Sequence, residues 1–226
     1  MEAVTTPSPS LSPTRRSTVR RGKARARTDR ADLYAILDAA LVCHLAVVVD
    51  GAPLVVPTCY GRDGATLYLH GSTGSASLRT GAGAPVCVAV TELDGVVYGR
   101  SVFHHSMNYR SAVVHATART VTEPEERLRG LRAFTEHVAP GSWDYARRPN
   151  AKELARTAVL AIDLTEASVK IRTGPPVDED DDVTADDRWA GVLPLRRVWG
   201  APQPCPLLGE RHRHRTPRHV AKRAMA

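Results

Sequence analysis

Residues 41–60 hold two apolar runs, Leu41 to Val49 and Leu54 to Tyr60, separated by little more than Asp50-Gly51. Asp-Gly is a favoured two-residue hairpin loop, because both of its central positions take positive φ. A chain that opens its apolar content this way is committed to antiparallel sheet. The pattern repeats. Asp63-Gly64 leads into a strand over Thr66–His70, and Asp94-Gly95 is expected to join strands Pro85–Thr91 and Val96–Phe103. Ser111–Val121 alternates as a long strand, and Val159–Leu164 and Ser168–Thr173 complete the set. Helices punctuate this meander. Asp29–Ala40 places Leu33, Ile36, Leu37 and Ala40 on one face. Thr122-x-x-Glu125 has the form of a capping box, with Pro124 in the first turn, ahead of Leu128, Leu131, Phe134 and Val138 at helical spacing. Lys152–Thr157 reads as a shorter helix. The fold expected is mainly β (α+β), a six- to eight-stranded antiparallel barrel, closed or split, with a few short helices.

Charge has to be located before it is interpreted. The chain of 226 residues carries a net +7, but residues 1–30 hold +6 and residues 203–226 hold +5, leaving the intervening body at −4. The ends are rich in Pro, Ser and Arg and poor in apolar residues, a composition that favours solvated tails. The organisation expected is a basic tail over 1–17, one domain over 18–206 and a second basic tail over 207–226. Such tails can touch phosphates without sequence preference. A mildly acidic body with few aromatics gives no support for a specific nucleic-acid function. No apolar run approaches the roughly 18 residues of a membrane span, and Met1–Arg30 lacks the apolar centre of a secretory signal. Cys43, Cys59, Cys87 and Cys205 show no CxxC pairing and read as free thiols of a cytoplasmic protein.

One segment suggests a ligand. Leu67-Tyr-Leu-His-Gly-Ser-Thr-Gly-Ser-Ala-Ser-Leu-Arg79 runs from a strand through small residues into a helix start. Glycines allow close backbone approach, and free N–H groups at a helix start favour anions. An ordinary βα turn has the same look. Other residues read more simply. His104-His105 is a satisfied structural pair or a metal or haem ligand, and His44 in its apolar strand reads as a core residue. The acidic run Asp178–Asp182 reads as a solvated loop without EF-hand spacing. His212, His214 and His219 alternate with arginines whose charge opposes capture of a cation. No Ser/His/Asp or Cys/His catalytic spacing stands out.

Three blocks then carry a resemblance: Pro57-Thr58 with Leu67-Tyr-Leu-His-Gly-Ser72 and Arg79; Phe103-His-His-Ser-Met-Asn-Tyr-Arg-Ser111; and Trp189-Ala-Gly-Val-Leu-Pro-Leu195. Over roughly residues 18–206 the chain resembles the pyridoxamine 5′-phosphate oxidase-like superfamily, in its branch of flavin-nucleotide-binding proteins related to nitroimidazole-resistance (Nim-type) reductases. The resemblance implies an FMN-binding split β-barrel and a homodimer with flavins at the interface. It sets Pro57, Thr58 and Cys59 beside the ring, His70, Gly71 and Ser72 along the ring and ribityl chain, and Ser75 and Arg79 on the phosphate. It puts Asn108, Tyr109 and Arg110 near the cofactor or the interface, and Trp189 over the ring from the facing subunit. Relatives commonly carry a basic residue after the cradle serine; here Ala76 stands there, leaving Arg79 as the main cation. The activity implied is transfer of electrons from NAD(P)H through FMN to a small organic acceptor, with His70 as a candidate proton donor and no metal. Two alternatives stay open: a non-catalytic flavin- or haem-binding module, and a deazaflavin-dependent reductase on the same fold. Pyridoxamine phosphate oxidation itself is not supported, because no second phosphate-binding set of basic residues is found.

Overall fold

A computed structural model describes residues 10–11, 14–209 and 215–225. Ten strands form one antiparallel system: β1 (Ala26–Arg27), β2 (Val42–Val49), β3 (Ala52–Asp63), β4 (Thr66–Ser72), β5 (Pro85–Tyr98), β6 (Ser106–Thr117), β7 (Arg119–Thr120), β8 (Thr157–Asp163), β9 (Ala167–Arg172) and β10 (Gly191–Pro194). They run in the order β1-β9-β6-β5-β2-β3-β4-β8-β7, with β10 added to β5. The helices are α1 (Arg30–Ala39), α2 (Ala76–Gly81), α3 (Pro124–Val138), α4 (Ser142–Tyr145), α5 (Ala151–Ala155), α6 (Asp180–Ala185) and α7 (Arg218–Ala224). The mainly β architecture is a split barrel. Its strand count exceeds six to eight because of the two-residue strands β1 and β7 and the late strand β10.

The split lies within β3. Ala52–Cys59 pairs with β2, and Tyr60–Asp63 pairs with β4. Asp50 and Gly51 form the expected hairpin turn with φ of 50° and 78°. At the switch point Tyr60 is fully buried, and its hydroxyl donates to Leu37 O at 2.6 Å or Ala40 O at 3.0 Å, tying the end of α1 to the sheet. The next residue must be glycine. A Cβ on Gly61 would sit 2.2 Å from the backbone nitrogen of Phe134, so its absence lets α3 cross the strand directly. Leu33, Ile36 and Leu37 of α1 join Leu45, Leu67, Leu69, Val88, Leu160 and Ile162 in the main core.

Four sequence expectations change. Asp94-Gly95 is no hairpin. Pro85–Tyr98 runs through it as one strand with a bulge between Leu93 and Gly95. A Cβ on Gly95 would lie 2.8 Å from Leu193 O, so that glycine admits β10 instead of a reversal. His44 is exposed, because the alternation of β2 turns Cys43 and Leu45 inward. Thr122 forms no capping box; Glu123 precedes Pro124 without a side-chain cap. The capping box is instead Asn150–Glu153, at the start of α5. Finally, Leu11 and Ser17 are buried within the segment read as a solvated tail, and Arg16 pairs with Glu166 at 2.5 Å. One apolar anchor and one ion pair suffice where mean composition argues otherwise. His212 and His214 lie outside the described residues.

Candidate functional site

Alternation sorts the β3 candidates by face. Pro57 lies opposite His44, and Cys59 opposite Val42, whereas Thr58 lies opposite the buried Cys43. Pro57 and Cys59 therefore share the outward face of the sheet with Val42, His44, Val48 and Val55. Val48 is 60% exposed and Val55 57%, an apolar surface without cover in a single chain. Thr58 points the other way, and its hydroxyl donates to Cys59 O at 3.3 Å. Burial pushes the Cys43 thiol up to about 12, which holds it protonated and unreactive.

His70 lies on β4 one residue beyond the last β3–β4 pair, Tyr60–Leu69, and opposite Val159 of β8. The ring packs at a tilt of 53° against Phe134 of α3 with centroids 3.9 Å apart, and its Nδ1 is buried without a hydrogen-bond partner among the described residues. Burial lowers its pKa, so the neutral imidazole is favoured. An orphaned polar atom of this kind points to a partner beyond the chain. Gly71 serves packing: a Cβ there would lie 2.8 Å from Leu78 Cδ1.

The cradle is partly self-satisfied. The N–H of Thr73 donates to Arg156 O, that of Gly74 to Ser72 Oγ, and that of Ser75 to Ser72 O. Ser75 precedes α2, and its hydroxyl lies 3.1 Å from that of Ser77. The first intrahelical bond runs from Arg79 N–H to Ser75 O at 3.0 Å, leaving the amides of Ala76, Ser77 and Leu78 without intrahelical partners. The Arg79 side chain is exposed and makes no ion pair among the described residues. Three open amides and one free guanidinium are a donor set suited to phosphate.

The second block is engaged in the protein's own structure. Asn108 is buried, donates to Gly174 O at 3.1 Å and accepts from Arg172. Arg110 grips Asp94 through Nε and Nη2, at 2.9 and 2.8 Å. Tyr109 is half-buried on β6 opposite Leu93 and Arg172. Trp189 is 71% exposed, lies 5.8 Å from Tyr98 and covers Gly191. In this chain it packs just before β10 on the edge of β5.

Three features escape sequence reading. Phe134 belongs to a core-like stripe, and nothing in that stripe signals its stacking on His70. Asp178 opens the acidic run, yet it is buried against the backbone N–H and guanidinium of Arg100, at 3.0 and 3.1 Å. A cleft of about 1020 Å³ also opens between the barrel and the C-terminal segment, bounded by Leu93, Arg110, His137, Trp199, His219 and Lys222. Only long-range folding assembles it. Among the described residues, no group of three His, Cys, Asp or Glu side chains converges, and no helix is long and apolar enough to cross a membrane.

Comparison with known proteins adds three structures. The flavocytochrome Anf3 from Azotobacter vinelandii shares 34% identity over 92% of this chain and 96% of its own, with a TM-score of 0.87. The FAD and heme binding protein from Mycobacterium smegmatis shares 39% over 88% of this chain and 97% of its own, with a TM-score of 0.83. A Bacteroides thetaiotaomicron protein assigned to 5-nitroimidazole antibiotic resistance shares 20% over 65% of this chain and 86% of its own; its TM-score of 0.51 shows likeness of fold alone. No curated protein sequence matches the chain. The model of the pyridoxamine 5′-phosphate oxidase family matches residues 29–171, spanning the split barrel from α1 to β9. Because that model spans more than half of the chain, the chain belongs to the pyridoxamine 5′-phosphate oxidase family.

Proposed function

We propose that the protein binds a flavin and a haem and passes electrons from NAD(P)H to a small acceptor. The observation that carries this reading is likeness along nearly the whole chain to two proteins named for flavin and haem. It reaches well beyond the 29–171 core, and a match to 88–92% of the chain leaves too little out to omit everything after residue 172.

The residues present suit a flavin. Arg79 and the open amides of α2 would hold a phosphate, and the buried Nδ1 of His70 would meet a polar edge of the ring or ribityl chain. Pro57 and Cys59 would offer an apolar surface to the ring. The FAD-named relative favours the dinucleotide over FMN. A bound flavin supplies the hydride-accepting centre; the chain binds it, orients it and keeps His70 neutral. The uncovered face around Val48 and Val55 supports a homodimer, whose mass by light scattering would be twice that of the chain. A monomer would refute the dimer.

The test is anaerobic mixing of the purified holoprotein with NADH or NADPH. Loss of the oxidised-flavin absorbance with one of them, and its return on adding air or an organic acceptor, is the expected result. Unchanged absorbance with both would leave a binding protein without this activity.

A further inference from the structure

The cleft between the barrel and the C-terminal segment has an uneven charge inventory. Its three carboxylates are all matched: Asp94 by Arg110 at 2.8 Å, Glu92 by Arg197, and Asp38 by Arg62 at 2.5 Å. Lys222, also on the wall, has no ion pair among the described residues. Arg223 donates to Val138 O and lies 4.2 Å over the Trp199 ring, with no carboxylate partner among the described residues. Two cations of α7 thus face about 1020 Å³ of open space without counter-charge, beside the apolar surfaces of Leu93, Val198 and Trp199. Such a wall suits a flat, largely apolar ligand with anionic groups at one edge.

Two imidazoles reach the same cleft. His137 already uses Nε2 against Ala40 O at 2.7 Å, and its ring leans on Tyr60 with centroids 4.8 Å apart. His219 is different. Its ring lies 5.1 Å from that of Tyr145, and neither nitrogen has a hydrogen-bond partner among the described residues. It packs close against the turn between α3 and α4 because Gly141 has no side chain; a Cβ there would lie 2.8 Å from that of His219. Resting on the flavin-and-haem reading above, the geometry points to this cleft as the haem site. His219 is the iron ligand, and Lys222 and Arg223 hold the propionates. Cations beside His219 oppose a bare metal ion, but they favour an iron whose macrocycle carries two carboxylates. A ring nitrogen of His219 would supply the lone pair to iron, and no bond in the protein would break.

The test is titration of haem-free, full-length protein with hemin, followed by absorbance. Wild type should give a Soret band that saturates at one hemin per chain. His219→Ala should lose the wild-type band position, and added imidazole should restore it, which mere structural support would not do. Lys222→Glu should weaken hemin binding about tenfold or more while leaving flavin content unchanged. If wild type takes up no hemin, both the haem reading and this site fall. If wild type binds hemin and both variants match it in affinity and band position, the protein binds haem elsewhere and this assignment is wrong. Circular dichroism checks each variant's fold, and Lys222→Glu alone decides if His219→Ala unfolds.

Discussion

If the chain holds a flavin as proposed, recognition of its phosphate turns on the Arg79 guanidinium, which is exposed and without an ion pair among the described residues. Ala76, directly after Ser75, carries no charge, and the amides of Thr73, Gly74 and Ser75 already have partners within the chain. Arg79→Ala should therefore weaken a flavin with a 5′-phosphate more than it weakens riboflavin. A charge-assisted contact of about 1.5–3 kcal/mol corresponds to roughly 10- to 150-fold. Fluorescence titration of both ligands reads this; equal losses would make Arg79 a support of the fold. Sequence pattern points to Arg79 at the helix start and, through the family resemblance alone, to His70. It could not show that Asn108 latches Gly174 and Arg172, or that Arg110 is neutralised by Asp94, because those partners arrive through register. His44 is exposed for a related reason: an apolar run does not say which of its residues face inward.

Elements were legible where local chemistry decides them. The hairpin at Asp50-Gly51 needs only its own positive φ values. Asp94-Gly95 has the same letters, but its glycine answers to β10 some hundred residues later, so no local rule reaches it. Helix caps repeat the lesson. Thr122-x-x-Glu125 has the pattern without the bond, and Asn150-x-x-Glu153 has both. Asn150→Ala should cost about 1 kcal/mol in urea unfolding, while Thr122→Ala should be close to neutral. Equal effects would show that the cap does not stabilise α5. The guanidinium of Arg147, and then the N–H of Asn150, hold Glu153 at about 2, below its ordinary value of 4.5. The unfolded chain thus takes up this proton first on acidification. The stability linked to Glu153 is present above about 4.5 and is lost as pH falls toward 2. Glu153→Gln should flatten that part of the acid-unfolding profile.

At the scale of the molecule, a mainly β split barrel followed from hairpin spacing and family likeness together. The terminal segments did not. Leu11 contributes to the core, and α7 packs on α3 through Arg223 and Val138, because single anchors vanish in a mean over basic, proline-rich sequence. The C-terminal segment also builds one wall of the cleft in which the haem is proposed to sit. Together the two proposals give this chain two redox groups, a flavin at the split of β3 and a haem under α7. The most direct measurement is the absorbance spectrum of the purified full-length protein, with the non-covalent flavin released by heat and identified by chromatography. A flavin spectrum together with a Soret band, and FAD in the released fraction, is the expected result. A colourless protein that takes up neither flavin nor hemin when both are supplied would contradict it.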